Sequence, residues 1–132
     1  MLTRVPPRLP PEMEAIVSRT IGCAIRVHKA IGAGFTEGVY HDAMQIELTT
    51  EGLSWTREYA VSVLYRGQPT RRQKLDLVID GFIVVEIKAV ERLHPVHVAQ
   101  ILSYLRAARL PIGLLMNFNT PLLKSQLCRF VL

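Results

Sequence analysis

Two helices are predicted from the spacing of apolar residues in the first part of the chain. After a proline-rich start, apolar residues recur every three or four positions up to Gly32, as in an amphipathic helix that ends at glycine. A similar run follows Thr36, a candidate N-cap, and ends at Gly52. Glu37 therefore falls in the first turn of the second helix, where the helix dipole stabilises a negative charge.

The pattern becomes that of β-strands from Trp55 onwards. Alternating apolar and polar residues predict one strand up to the turn sequence RGQPT and a second strand from about Arg71 to Ile79. The segment FIVVEIKAV is apolar on both faces, as an interior strand is. Pro95 opens a further helix that ends before Pro111, and IGLLMNF and LCRFVL predict two last strands.

This order of elements predicts an α/β (α+β) fold in which helices flank a mixed β-sheet. Four prolines near the start predict an extended arm over residues 1–11, and residues 12–132 have the length of one domain. We expect a cytoplasmic protein without a membrane anchor, because no apolar run approaches the roughly 20 residues that span a bilayer. Cys23 and Cys128 have apolar neighbours, which indicates buried thiols in a reducing compartment.

Basic residues are in excess. The chain has 16 Lys and Arg against 11 Asp and Glu, a net charge of +5, which fits a nucleic-acid partner but also a merely basic surface. One group of cations stands at the turn and strand that lead to Asp76, where it could hold a phosphate backbone or simply protect an exposed strand edge. These candidate nucleic-acid-binding residues are Arg66, Arg71, Arg72 and Lys74.

Ionisable side chains interrupt two of the most apolar strands. Asp76 lies in one, and Glu86 and Lys88 lie in the next, although burying an ionised group costs several kcal/mol unless it is paired or holds a metal. A two-residue loop at Asp80-Gly81 would send Asp76 to the opposite face from Glu86. We expect a three-residue loop, a type I turn with Gly81 as a left-handed bulge, which brings both acids to one face.

Converging carboxylates suit a metal site. Two of them repel unless a proton or a cation lies between them, and oxygen ligands select Mg²⁺, with Mn²⁺ as a substitute. A lysine beside the cation can orient water and stabilise charge on phosphorus, so the set suits metal-assisted phosphodiester hydrolysis. On spacing alone, an ion pair between Lys88 and one acid explains these residues equally well.

Two histidines form a weaker candidate site. His94 and His97 lie three residues apart near a helix start and could bind a transition metal. A surface or capping role is favoured, because no cysteine or acid completes the ligand set locally.

The motif spacing resembles that of a known superfamily. Asp76-x9-Glu86-x-Lys88 resembles the PD-(D/E)XK nucleases, whose restriction-endonuclease-like core has a helix, three antiparallel strands, a helix and a strand. The stretch GAGFTEGVY, which contains Glu37, resembles the signature of the GxxExxY protein family. VEIKAVERLHPVHVAQILSYL and GLLMNF are similar to that family too, so the resemblance covers about residues 21–130.

The resemblance implies a role for each motif residue. Lys88 would be the catalytic lysine, and Glu37 a further acid at the metal. Gln100 and Tyr104, spaced as Q-x3-Y, would orient the lysine or the substrate phosphate. Gln100 could instead be a structural polar residue where a helix packs on the sheet, and Tyr40 could be a core residue next to Glu37. For both residues, the resemblance favours a role in the active site. The implied metal ligands are Asp76, Glu86, Glu37 and the backbone carbonyl of Ile87.

The first hypothesis is therefore a Mg²⁺-dependent nuclease that acts on DNA. The alternative is a non-catalytic nucleic-acid-binding or regulatory module that retains the nuclease fold. The complete set of acids and lysine favours the first. The lack of an appended recognition domain favours the second, or a requirement for self-association or a protein partner to hold the substrate.

Overall fold

The computed structural model describes residues 9–132 of the chain. A short 3₁₀ helix, which the hydrophobic pattern does not predict, precedes the last strand. The helices are α1 (Pro11–Ile31), α2 (Glu37–Glu51), α3 (Pro95–Ala108) and the 3₁₀ helix (Leu123–Gln126). The strands are β1 (Trp55–Tyr65), β2 (Gln68–Ile79), β3 (Ile83–Lys88), β4 (Ile112–Asn117) and β5 (Leu127–Val131).

The five strands form one mixed sheet in the order β1-β2-β3-β4-β5. β3 and β4 run parallel and are joined through α3, whereas every other neighbouring pair is antiparallel. The predicted α+β class and mixed sheet are confirmed. None of the helices within residues 9–132 is long and apolar enough to cross a membrane.

The start of α1 differs slightly from the prediction. Pro11, predicted to lie in the extended arm, is already the first helical residue, because a proline there loses no helical hydrogen bond. Leu9 packs against the core, and its backbone N–H donates to Glu14 Oε1 at 2.8 Å. Residues 1–8 of the predicted arm lie outside the described part of the chain.

The sheet has a hydrophobic cluster on each face. α1 and α2 pack on one face and α3 packs on the other. α3 lies so close to β4 that a Cβ on Gly113 would stand 2.9 Å from Ile101 Cδ1, which explains a glycine in an interior strand. The free thiols belong to these clusters, Cys23 fully buried in one and Cys128 half-buried beside the other.

The β1–β2 hairpin is longer than predicted and projects beyond the sheet. β2 starts at Gln68 rather than near Arg71, because Arg66 and Gly67 form a two-residue turn with φ values of 50° and 74°. β2 pairs with β1 along this whole length but with β3 only near its end. Residues 60–74 thus form an exposed two-stranded segment, which we call the ribbon.

Candidate active site

The strands β2 and β3 separate at the candidate site. Backbone pairing runs from Ile79 with Ile83 to Leu77 with Val85, which confirms the predicted three-residue connection. The predicted turn type is wrong: Asp80 and Gly81 both have positive φ, 52° and 77°, and Phe82 N–H donates to Ile79 C=O, as in a type I′ turn.

Beyond Leu77, carboxylates take over the hydrogen bonding between the two strands. The Asp76 backbone N–H donates to Glu86 Oε1 at 3.1 Å, and the Ile87 backbone N–H donates to Asp76 Oδ2 at 3.1 Å. These bonds satisfy backbone groups that a regular ladder would have paired. The gap between the strands is therefore lined by acid side chains rather than closed by backbone.

The prediction that Asp76 shares one face with Glu86 is too simple. Leu75 and Val78 belong to the same cluster under α3, although strict alternation would place residues three apart on opposite faces. The pairing of β2 with β1 also skips Asp76, opposite Glu58 with its φ of 53°. This irregularity turns the Asp76 carboxylate towards His41 of α2, whereas Lys88 of β3 contacts α3.

Glu86 is buried, with 3% of its surface exposed. Burial first, and then the negative charge of Asp76, raise the pKa of Glu86 from 4.5 to about 8. Without a metal, Glu86 is therefore mainly protonated at neutral pH.

Asp76 behaves in the opposite way. Burial by itself would raise the pKa of Asp76, but hydrogen bonds with His41, Glu86 and the Ile87 N–H together hold it below its ordinary value. The two acids thus differ in protonation, and Asp76 carries the negative charge of the pair.

The helix α2 brings two more side chains to Asp76. His41 Nε2 lies 3.5 Å from Asp76 Oδ2 and 3.6 Å from Glu37 Oε1, one helical turn earlier. One donor atom from each of these three residues lies within 4.8 Å of the others. Thr36 takes the N-cap position, although its side chain makes no capping bond.

His41 is the site residue that sequence reasoning missed. Its spacing of four residues from Glu37 places both side chains on one face of the helix, which was the available signal. His41 is buried, and its Nδ1 has no hydrogen-bond partner among residues 9–132. The contacts of the buried ring with polar atoms are therefore those of Nε2 with the two carboxylates.

On the other side of the gap, a hydrogen-bonded chain leads from β3 to α3. Lys88 Nζ donates to Gln100 Oε1 at 3.3 Å, and Gln100 Nε2 donates to Tyr104 Oη at 3.0 Å. Burial, followed by the charge of Glu86, raises the pKa of Tyr104, so its hydroxyl keeps its proton at neutral pH. Because that oxygen accepts from Gln100, the proton is available for donation to a ligand.

The family comparison agrees with this arrangement of acids and lysine. A family model described as the PD-(D/E)XK nuclease superfamily matches residues 14–130, which is most of the chain. The protein belongs to the PD-(D/E)XK nuclease superfamily. No curated protein and no solved structure shows a significant match to the chain.

PD-(D/E)XK nucleases generally use divalent metals, and the residues around Asp76 fit such an ion. Two carboxylate oxygens and one imidazole nitrogen converge there, and a negative charge remains on Asp76. His41 adds a nitrogen donor atom to the oxygen atoms expected from the sequence. Glu86 stands beside this cluster rather than in it, and Ile87 contacts Asp76 through its N–H, so their roles as ligands stay predictions.

Other candidate residues lie away from this nuclease-like centre. Tyr40 is fully buried, and the centroid of its ring lies 4.7 Å from that of Phe118. Its hydroxyl donates a hydrogen bond to Gly32 C=O, so the interpretation of Tyr40 as a core residue is correct. His94 and His97 form a capping box at the start of α3, as favoured.

The four cations expected to bind nucleic acid are all exposed, and they lie at different places along the ribbon. Arg72 and Lys74 pair with Ser62 and Ala60 on the ribbon, and the register of the two strands shifts next to Arg71. Arg66 lies at the tip, 5.8 Å above the Tyr65 ring. Their role in binding nucleic acid stays a prediction.

His41→Asn is expected to weaken Mn²⁺ binding roughly tenfold or more, because outer-shell changes alone cost 10–100-fold and this change removes a donor nitrogen. Mg²⁺ binding should fall less, since Mg²⁺ prefers oxygen and retains its waters. Calorimetric titration with each ion measures both affinities. His97→Asn, a histidine change on α3, is the control, and an unaltered Mn²⁺ affinity in His41→Asn would contradict the ligand role.

Proposed function

We propose that the protein is a metal-dependent nuclease that hydrolyses phosphodiester bonds in nucleic acid, most directly DNA, with Mg²⁺ or Mn²⁺. The observation that carries the proposal is the gap between β2 and β3, where Asp76 meets His41 on one side and Lys88 meets Gln100 on the other. Metal-assisted hydrolysis of a phosphodiester can use both halves: ligands for a cation, and a fixed positive group that stabilises charge beside it.

Glu37, His41 and Asp76 form the proposed cation-binding side. A bound divalent cation would supply Lewis-acid stabilisation of charge on the phosphoryl oxygens. Glu86 is close enough to Asp76 to join the ligand set once it loses its proton. The raised pKa of Glu86 means that the free protein binds a cation more weakly at low pH, because the proton and the cation compete.

Lys88 is the proposed catalytic lysine. Its Nζ donates a hydrogen bond to Gln100 Oε1, which helps to fix the position of the positive charge. That charge can orient an attacking water and stabilise the transition state. Tyr104 positions Gln100 through the bond to its amide group.

We propose further that the chain falls within the GxxExxY group of this superfamily. The local geometry of the motif residues supports this assignment. Gly34 has a φ of 104°, which favours glycine, and Glu37 lies beside His41. The Tyr40 hydroxyl ties the loop between α1 and α2 to Gly32 C=O at 2.7 Å. The motif thus positions the acid of α2 next to the sheet.

Cleavage of labelled single-stranded DNA, duplex DNA and RNA tests the proposal. We expect products with Mg²⁺ or Mn²⁺ and none with a chelator. Binding of nucleic acid without cleavage under every condition would instead support a non-catalytic module with the nuclease fold.

A further inference from the structure

An open groove leads away from the candidate active site. It has a volume of about 610 Å³ and lies between α3 and the ribbon. Gln100 and Tyr104, which connect to Lys88, stand at its wall and join it directly to the catalytic side of the gap. The rest of the α3 wall includes Ser103, Arg106 and Arg109.

The elements that form this groove carry cations but almost no acids. Residues 59–75, which include the ribbon, and residues 92–132, which include α3, contain no Asp or Glu. Six of the chain's 11 acids lie on α1 and α2, on the opposite face of the sheet. The acids just outside these two segments are Glu58, Glu91 and the site residue Asp76.

The walls also offer apolar surface to a ligand. Leu64 on the ribbon is 61% exposed and lines the groove together with Val63, and Tyr104 presents part of its ring there. Proteins that bind single strands combine such surfaces for the bases with cations for the phosphates. A duplex keeps its bases stacked inside and would leave the apolar wall without a partner.

We propose that this groove holds a single-stranded segment of nucleic acid, with its phosphates at Arg106 and Arg109 and its bases against Leu64 and Tyr104. The segment leads to Lys88, so the inference rests on the proposed nuclease function and names the form of its substrate. On the ribbon, the groove is lined by Ser62, Val63, Leu64 and Gln73.

Salt-dependent binding tests the phosphate contacts without any catalysis. Fluorescence anisotropy measures the affinity of the full chain for a labelled single-stranded oligodeoxynucleotide, with a chelator present, over a range of salt concentrations. The variant is Arg106→Gln with Arg109→Asn, both exposed positions, and asparagine accepts the φ of 55° at position 109. The control is Lys29→Gln with Lys124→Gln, which lowers the charge equally at exposed positions outside the groove.

Each phosphate contact on a single strand contributes about 0.7 to the slope of log K against log salt. We therefore expect the slope of the groove variant to fall by about 1.4, while the control keeps the slope of the unmodified protein. Equal losses in both variants, or no binding by the unmodified protein, would overturn the proposal.

A second pair of variants tests the apolar wall. Leu64→Thr should weaken binding of the single strand, whereas Leu122→Thr, at a leucine with nearly the same exposure of 62%, should not. Duplex DNA that binds as tightly as the single strand, with the same dependence on Leu64, would overturn the single-strand assignment. An RNA oligonucleotide in the same assay shows whether the groove distinguishes the sugar. These binding assays contain no metal, so their results do not depend on whether the protein cleaves nucleic acid. If the groove does not bind a single strand, the proposed metal site is unaffected.

Discussion

Lys88→Met is expected to reduce metal-dependent cleavage by about 10²–10³-fold or more, the usual effect of losing one group that stabilises charge in a transition state. Methionine retains the aliphatic length of the side chain but removes the ammonium group that Gln100 accepts from. Metal binding should survive, because the proposed cation-binding residues lie on α2 and β2. Single-turnover cleavage at saturating Mn²⁺, together with calorimetric titration of the ion, measures the two effects separately.

Lys29→Met is the matched control, since Lys29 is exposed near the end of α1, away from the gap between β2 and β3. It should cleave at the rate of the unmodified protein. Cleavage by Lys88→Met at that same rate would remove Lys88 from the proposed mechanism. Loss of both cleavage and metal binding would show that Lys88 acts by holding the site together.

Glu86→Gln is expected to stabilise the metal-free protein at pH 8 and above. Because the pKa of Glu86 rises from 4.5 to about 8 on folding, the folded state keeps a proton that the unfolded state has already released. The stability that this proton contributes is fully present below pH 4.5 and is lost as the pH rises through 8. Glutamine never ionises, so the variant does not lose this stability at high pH. A pKa shift of this size corresponds to several kcal/mol in the free energy of unfolding.

Urea unfolding of the chelator-treated protein at pH 5 and pH 9 measures the effect. The difference in unfolding free energy between Glu86→Gln and the unmodified protein should be small at pH 5 and large at pH 9, whereas exposed Glu91→Gln should show no such trend. Added Mn²⁺ should stabilise the unmodified protein, since it binds only the folded state, and should stabilise Glu86→Gln less. Destabilisation of Glu86→Gln at pH 9 would mean that Glu86 serves a structural ion pair instead.

Asp76 makes a contrasting case on the same strands. Its pKa is lowered by the hydrogen bonds with His41, Glu86 and the Ile87 N–H, so its ionised form stabilises the fold above its ordinary pKa. Neutralising Asp76 would therefore remove a stabilising charge, whereas neutralising Glu86 removes a destabilising one. Two acids of one motif have opposite effects on stability because the hydrogen bonds to Asp76 outweigh its burial, whereas the single backbone hydrogen bond to Glu86 does not.

Local patterns determined the order of elements and the chemistry of the motif. The periodicities of 3.6 and 2, with glycines after the first two helices, predict elements that each depend on nearby residues. The spacing of Asp76, Glu86 and Lys88 around Asp80-Gly81 predicts a short connection that brings the strands together. These features are local, and the sequence alone was sufficient for them.

Only the tertiary structure decided which groups meet across the gap. His41 reaches Asp76 because α2 packs on one face of the sheet while β2 turns irregular at that residue, and neither fact can be derived from alternation. The pKa of about 8 for Glu86 likewise depends on burial by distant segments. The groove exists because the ribbon extends beyond the end of β3 and α3 lies beside the ribbon. Contacts between residues far apart in the chain depend on how the helices and strands pack. The local pattern of apolar and polar residues does not determine the distances between such residues.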